Sequence, residues 1–200
     1  MKKYLEEAPQ SWKRHMLPSA VPKDGTPYSD SFALSCDLPI SYWGQLYTLL
    51  SDVKAYVEAY RSDEKIILTV ETETEVSAPC TRCLKTAREK VGGILRYVLS
   101  QHGNEKEPAG EEENRSEEEF VTVDSWEEEI SLIPMLWETL ITSLPCTLLC
   151  RPDCRGLCPQ CGADLNEGDC GCSGRVKDPR FDVLKNFIQE ETDNTAKNQN

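Results

Sequence analysis

Apolar and polar residues alternate along three stretches of this chain, and a period of two is the pattern of a half-buried β-strand. Residues 52–60 place Val or Ala at every second position, and residues 67–76 alternate Leu, Val and Thr with Thr and Glu. The link at 61–65 is short and polar, which predicts that these two strands form a hairpin. Residues 89–99 predict a third strand, in which Gly92-Gly93 indicates a bulge or a bend.

A helix is predicted after the strands, because leucine recurs at every fourth position with Ile and Trp beside it. These leucines are Leu132, Leu136, Leu140 and Leu144. Ser131 is the predicted N-cap, Pro134 is tolerated in the first turn, and Pro145 ends the helix. The apolar face predicts packing on the sheet. Shorter β-like runs lie at 32–36 and 120–123.

Composition divides the chain into four parts. Residues 1–30 carry scattered prolines and are predicted to be irregular, and residues 31–145 form an α+β domain. Within that domain, the glutamate-rich segment 102–119 is predicted to be a disordered loop. Residues 146–188 are a cysteine-rich segment ending in a short helix with Phe181, Leu184 and Ile188 on one face. Residues 189–200 are predicted to be a disordered tail.

The net charge of −13 makes the chain a poor general binder of phosphate backbones. Segment 102–119 holds eight glutamates against Lys106 and Arg115, a net charge of −6, and therefore carries about half of that total. No run reaches the roughly 20 apolar residues of a membrane span. The N-terminus lacks the apolar stretch of a secretion signal, which predicts a cytoplasmic protein with reduced cysteines. A disulfide framework is the alternative for a secreted protein.

Ten cysteines and two histidines favour thiolate metal sites over a histidine-rich catalytic centre. Eight cysteines stand in close pairs and are the predicted ligands: Cys80, Cys83, Cys150, Cys154, Cys158, Cys161, Cys170 and Cys172. We favour one site formed by the first four and a second formed by the last four, because every pair then has a partner. A site of Cys150, Cys154, Cys158 and Cys161 is the alternative.

Closed four-thiolate coordination predicts structural zinc, with two ions per chain, and an iron–sulfur cluster is the chemical alternative. A thioredoxin-type redox pair is disfavoured, because the pattern around Cys80-Thr-Arg-Cys83 is an antiparallel meander rather than a βαβ unit. Cys36 and Cys146 are left over and are predicted to be buried thiols. His15 and His102 fall in predicted loops and are predicted to be surface histidines. The predicted fold is α+β: a small antiparallel β-sheet with one packed helix and a zinc-stapled, cysteine-rich C-terminal segment.

Five basic residues lie within or beside the cysteine segment and could form a small basic face that contacts RNA: Arg151, Arg155, Arg175, Lys177 and Arg180. The alternative is ordinary surface charge balanced by Asp153, Asp164 and Asp169. An acidic chain could instead bind a basic ribosomal protein by electrostatic complementarity, and the acidic segment would be a reasonable contact.

Three pieces of the sequence, in order, resemble the bacterial YceD family, which is described by its role in the accumulation of large-subunit ribosomal RNA. They are Cys80-Thr-Arg-Cys83-Leu84, then Leu144-Pro145 with Cys150 and Cys154, and then the run from Gly156-Leu-Cys158-Pro-Gln-Cys161-Gly162 to Asp178-Pro-Arg-Phe181. The resemblance covers roughly residues 30 to 188. The acidic segment 102–119 of this chain is longer than the minimum found in the family.

The resemblance implies a cytoplasmic factor in the synthesis, processing or stability of large-subunit ribosomal RNA, with a ribosomal protein or pre-ribosomal particle as its partner. It implies no catalytic residues, so we expect a non-enzymatic protein. A thiol redox or chaperone-like zinc protein is the alternative function. An RNA-processing enzyme is a third, although neither paired carboxylates nor a nucleophile–base motif supports it.

Overall fold

The computed structural model describes residues 4–101 and 118–172. It contains two compact units that meet in sequence at Pro152 and Asp153. The first is a β-sheet carrying one helix, and the second contains the later cysteines. This is the α+β class that the sequence predicts. The short helix after Asp178, the tail and most of the acidic segment lie outside the described residues.

The first unit has nine strands and one α-helix among its described residues. The strands are β1 (His15–Met16), β2 (Tyr28–Leu34), β3 (Ile40–Tyr42), β4 (Gln45–Leu49), β5 (Val53–Ser62), β6 (Lys65–Pro79), β7 (Thr86–Gln101), β8 (Glu118–Val123) and β9 (Ile130–Ser131). The helix is α1 (Ile133–Ser143), and a 3-10 turn spans Pro18–Ala20. The segment predicted to be irregular therefore holds β1, this turn and the first residues of β2.

β6 organises the main seven-stranded sheet, because it pairs with three other strands. β5 and then β4 pair with successive parts of β6, and β7 pairs with it from Ile66 to Pro79. β2 extends the sheet beside β5, and β3 extends it beside β4. The hairpin of β5 and β6 is confirmed, and only Asp63 and Glu64 separate the two strands.

One face of this sheet forms the core, as the alternation predicts. Val53, Val57, Leu68 and Val70 each expose 0% of their surface. Thr72 lies on the same face and is also buried, although its hydroxyl oxygen has no hydrogen-bond partner. On apolar area alone, burying such a Val or Leu side chain stabilises the folded state by about 1.5–3 kcal/mol.

α1 covers this core with the predicted leucines, all of which expose 3% or less of their surface. The N-cap is Leu132 rather than the predicted Ser131, because the Leu132 carbonyl accepts the first helical hydrogen bond, from the Leu136 N–H at 3.0 Å. The Ser131 hydroxyl still accepts a hydrogen bond from the Ile133 backbone, at 3.4 Å. Tyr97 of β7 anchors the helix, because its hydroxyl donates to the Glu138 carboxylate at 2.9 Å and lies 3.2 Å from the Met135 carbonyl.

Of the bulge or bend predicted at Gly92-Gly93, the bulge is wrong, since β7 pairs with β6 one to one through both glycines. The helix explains Gly93: a Cβ there would lie 2.8 Å from the Thr139 carbonyl oxygen and 3.1 Å from the Ser143 Cβ. Both distances are shorter than van der Waals contact. The residue is a glycine because α1 approaches the sheet closely at this point.

β8 departs from the expected antiparallel arrangement, because it pairs parallel to β7, with Val98 opposite Phe120. A parallel pair needs a crossover connection of a dozen or more residues. The sixteen residues 102–117 have the necessary length. Residues 118 and 119, which fall in the predicted acidic loop, belong to this strand.

Candidate metal centres

The first Cys-x-x-Cys motif lies in a tight turn immediately after β6. The Cys80 backbone N–H donates to the Lys85 carbonyl at 2.8 Å, and the Leu84 N–H donates to the Cys80 carbonyl at 2.9 Å. Leu84 adopts φ 63°, a left-handed conformation that costs a residue with a Cβ roughly 1–2 kcal/mol. The turn holds Cys80 and Cys83 at the end of the sheet, and both are buried.

The chain that leaves α1 returns to this turn. The Leu148 carbonyl accepts hydrogen bonds from the Thr81 backbone N–H at 2.9 Å and from its hydroxyl at 3.3 Å. The Tyr47 hydroxyl donates to the Pro145 carbonyl. These contacts bring Cys150 beside the turn, where its sulfur lies 3.5 Å from that of Cys83.

The first sulfur group consists of Cys80, Cys83, Cys150 and Cys154, whose Sγ atoms all lie within 4.8 Å of one another. Four sulfurs bound to zinc at about 2.3 Å in a tetrahedron are about 3.8 Å apart. The donor set and its spacing therefore fit a tetrahedral metal ion. Cys154 follows Cys150 by four residues and joins the group through this short connection.

Backbone N–H groups favour the charged, metal-binding form of Cys80. Burial by itself raises the pKa of this thiol. Donation from the backbones of Cys150, Cys83 and Arg82 outweighs burial and lowers the pKa to about 6. A thiolate stabilised in this way is the form that ligates a metal.

The second Cys-x-x-Cys turn, in the second unit, repeats the hydrogen bonds of the first. The Cys158 N–H donates to the Ala163 carbonyl at 2.8 Å, and the Gly162 N–H donates to the Cys158 carbonyl at 2.9 Å. Gly162, with φ 74°, occupies the position that Leu84 has in the first turn. The two motifs are therefore local copies of one turn, a similarity that the spacing of the cysteines alone does not show.

The second sulfur group consists of Cys158, Cys161, Cys170 and Cys172, again with all four Sγ atoms within 4.8 Å of one another. Backbone N–H groups of Cys161 and Gln160 lower the pKa of Cys158 to about 6. Hydrogen bonding to Cys161 and Cys170 raises the pKa of Cys172 to about 12, because four neighbouring thiols resist losing their last proton. A bound cation removes that resistance, so this group also fits a metal ion.

The two groups differ in exposure. Three of the first four cysteines are buried, whereas Cys161 and Cys172 of the second group are exposed. Residues 153–172 contain little regular structure, with one isolated bridge between Leu157 and Asp164. A local network supplements it: the Asn166 side chain accepts from the Arg155 backbone at 2.8 Å and donates to Asp164 at 2.6 Å.

The structure groups the eight cysteines in the favoured way, not in the alternative set of Cys150, Cys154, Cys158 and Cys161. The expectation of buried thiols elsewhere is wrong for Cys146, which is exposed, and Cys36 is only half-buried. His15 is exposed, as predicted, but lies in β1 rather than in a loop. His102 lies outside the described residues.

The predicted basic face is described only in part. Arg151 is exposed, and Arg155 forms an ion pair with Asp169 at 2.6 Å, which offsets its charge. Arg175, Lys177 and Arg180 lie outside the described residues. Within 4–101 and 118–172, no helix has the length and apolar character needed to cross a membrane.

Comparison with known proteins identifies one family. The YceD family, described as large ribosomal RNA subunit accumulation protein YceD, matches residues 68–188. That range includes both sulfur groups. No solved structure matches the chain.

Two kinds of relative are similar to this chain. A protein of Arabidopsis thaliana, named large ribosomal RNA subunit accumulation protein YCED homolog 1, chloroplastic, is 24% identical over 69% of this chain and 49% of its own length. Uncharacterized proteins of Mycobacterium bovis and Mycobacterium tuberculosis are 30% identical over 72% of this chain and 65% of theirs. The matched region thus spans about half to two thirds of these relatives. Since the family match covers more than half of the chain, the protein belongs to the YceD family.

Proposed function

We propose that this protein is a non-enzymatic, zinc-binding factor that supports the synthesis, processing or stability of large-subunit ribosomal RNA. The observation that carries the proposal is the family match over residues 68–188, a range that contains every cysteine of the two sulfur groups. The plant relative carries the same role in its name. The site of action is the cytoplasm, on a ribosomal protein or a pre-ribosomal particle.

Zinc is the metal that we propose for both sulfur groups. All eight donors are cysteine sulfurs, the sulfurs of each group lie within 4.8 Å of one another, which is close enough for tetrahedral coordination, and each group contains the same Cys-x-x-Cys turn. Closed thiolate coordination leaves no position for a substrate, so the role of zinc here is structural. In the first group it would hold Cys80 and Cys83 of the turn after β6 to Cys150, beyond α1. Zinc binding would thereby contribute directly to folding.

The function is tested by removing the gene from cells and measuring the ratio of large-subunit to small-subunit ribosomal RNA. We expect the ratio to fall and to be restored by the wild-type gene. A Cys83→Ser gene should restore it poorly, because the altered chain would lose a zinc ligand. An unchanged ratio in the deletion strain would refute the role in ribosomal RNA accumulation.

Zinc itself is tested by elemental analysis of protein purified under reducing conditions, with free thiols counted alongside. Two zinc ions per chain, and eight thiols that react only after a chelator is added, are the expected result. Iron in place of zinc would indicate clusters. Absence of metal together with disulfides would move the redox alternative to first place.

A further inference from the structure

The turn between β3 and β4 presents a tryptophan to solvent. The loop consists of Trp43 and Gly44, with φ 50° and 76°, as in a two-residue hairpin turn that favours Asn-Gly. Trp43 is 79% exposed, the largest fraction among the exposed large apolar side chains of the described chain. The Trp43 ring meets the ring of Tyr42 edge to face, with centroids 6.2 Å apart, and most of the side chain remains open to solvent.

The strand register places this hairpin tip beside the first Cys-x-x-Cys turn. Thr48 of β4 lies opposite Ser77 of β6, and the Gln45 side chain donates to the Pro79 carbonyl at 3.2 Å. β4 runs antiparallel to β6, so residues 43–44 extend past Pro79 to the level of the turn. Two more apolar side chains are exposed at this end of the sheet: Leu46 by 46% and Leu84 by 67%.

The same end of the sheet is basic, although the chain as a whole is acidic. Residues 82–90 contain four exposed cations, Arg82, Lys85, Arg88 and Lys90, against the single anion Glu89. Arg88 lies opposite Ser77, which places it across β6 from β4 on the outer face of the sheet. Lys90 lies opposite Glu75, so its charge is partly offset.

A bound zinc ion would change this balance only locally. Four thiolates around Zn²⁺ carry a net charge of −2, and Arg82 and Lys85 adjoin those thiolates in sequence. Arg88 is five residues beyond Cys83, lies in β7 and is exposed. We call the set Trp43, Leu46, Leu84, Arg82, Lys85 and Arg88 the hairpin-end surface.

We propose that the hairpin-end surface binds single-stranded RNA, with Trp43 stacking on an unpaired base and Arg88 contacting a phosphate. Exposed aromatic rings beside cations are the means by which proteins hold single strands, because every base has a face that can stack. The positive charge disfavours a basic ribosomal protein at this place. This inference rests on the proposed function and specifies which partner this end of the sheet contacts.

The test measures binding of the zinc-loaded full chain to a fluorescein-labelled, 12-nucleotide single-stranded RNA by fluorescence anisotropy. Trp43→Asn is the central variant, because asparagine suits φ 50° and should preserve the turn. We expect its Kd to rise roughly 5- to 150-fold, the loss of one stacked base. Trp43→Phe keeps a ring and should recover most of the affinity.

Tyr60→Asn is the matched control, since Tyr60 is an exposed aromatic residue at the opposite end of the same outer face. Its Kd should stay within twofold of the wild-type value. Arg88→Gln should weaken binding and lower the slope of log K against log salt by about 0.7, the value for one phosphate of a single strand. Duplex RNA of the same length should compete poorly. Circular dichroism confirms that each variant is folded.

The inference would be overturned if the wild-type chain did not bind the RNA at low salt. It would also be overturned if Trp43→Asn bound the RNA as tightly as wild type. Equal losses of RNA affinity in Trp43→Asn and Tyr60→Asn would overturn it too. The same holds if Trp43→Asn weakened binding to an acidic protein and left RNA binding intact. These outcomes do not depend on the cellular test. A chain that binds no RNA while its deletion still lowers large-subunit ribosomal RNA would refute the RNA surface and keep the proposed function.

Discussion

Gly93 shows how one absent methyl group sets the distance between α1 and the sheet. The glycine stands in the middle of β7, where a side chain would ordinarily add strand propensity. Because Gly93 has no Cβ, the Thr139 carbonyl and the Ser143 side chain can approach its backbone closely. Thr139 is itself fully buried and donates its hydroxyl to the Met135 carbonyl at 2.7 Å, so the helix backbone at this point has little freedom to move.

Gly93→Ala is therefore expected to destabilise the protein by about 1–3 kcal/mol, the usual cost of overpacking. The contact at 2.8 Å is with backbone, and relief requires a shift of α1 rather than a side-chain rotation. Urea unfolding followed by circular dichroism measures the change. Ile94→Ala serves as the control, because Ile94 is 63% exposed on the outer face and should change stability by less than about 0.5 kcal/mol. A stable Gly93→Ala protein would contradict the close approach.

At the scale of elements, periodicity and spacing in the sequence predict the strands, their buried faces and the cysteine pairs. Features that depend on a neighbouring element, such as close approaches and strand direction, are not predicted. The alternation in β5 and β6 identifies their buried faces, because successive side chains of a strand point to opposite faces of the sheet whatever its neighbours are. Gly93 is misread as a bulge because the approach of α1 is not written in β7. The parallel direction of β8 is missed because the residues of a strand do not encode the direction of the strand beside it. The paired cysteines are visible as pairs, but the likeness of their two turns depends on Leu84 adopting a glycine-like conformation.

The two sulfur groups should differ in what they stabilise. Cys83→Ser removes a buried thiol that we propose as a zinc ligand after β6, so we expect the loss of one zinc ion and a fall in the Tm of the sheet unit. Cys161→Ser removes an exposed thiol from the second sulfur group, which is confined to residues 158–172. We expect it to lose one zinc ion and to leave the Tm of the sheet nearly unchanged.

Elemental analysis and differential scanning calorimetry on both variants check this difference. Cys146→Ser is the control, since Cys146 is exposed and belongs to neither group. It should retain two zinc ions and the wild-type Tm. Equal falls in Tm for Cys83→Ser and Cys161→Ser would show that the second group also supports the sheet.

At the scale of the whole molecule, charge is divided unevenly. The chain carries −13, residues 102–117 contribute six glutamates, and the hairpin-end surface is locally positive. A long-range negative field slows the approach of RNA and favours basic proteins, whereas a local basic surface still contacts a strand that has arrived. Uneven charge of this kind is compatible with the two partners proposed above, RNA and a basic ribosomal protein. It predicts opposite responses of the two partners when the acidic segment is neutralised.

The corresponding variant replaces six glutamates with glutamine and keeps the chain length: Glu105, Glu107, Glu111, Glu112, Glu113 and Glu117. We expect it to bind the 12-nucleotide RNA more tightly than wild type at low salt and to bind a basic ribosomal protein more weakly. The gain for RNA should vanish near 1 M salt, where the screening length falls to about 3 Å. Aspartate at the same six positions keeps the charge and should behave as wild type. If the glutamine variant bound RNA no more tightly than wild type at low salt, the acidic segment would have no electrostatic influence on the RNA surface. If the variant then bound only the basic protein more weakly, the acidic segment would be assigned to that partner.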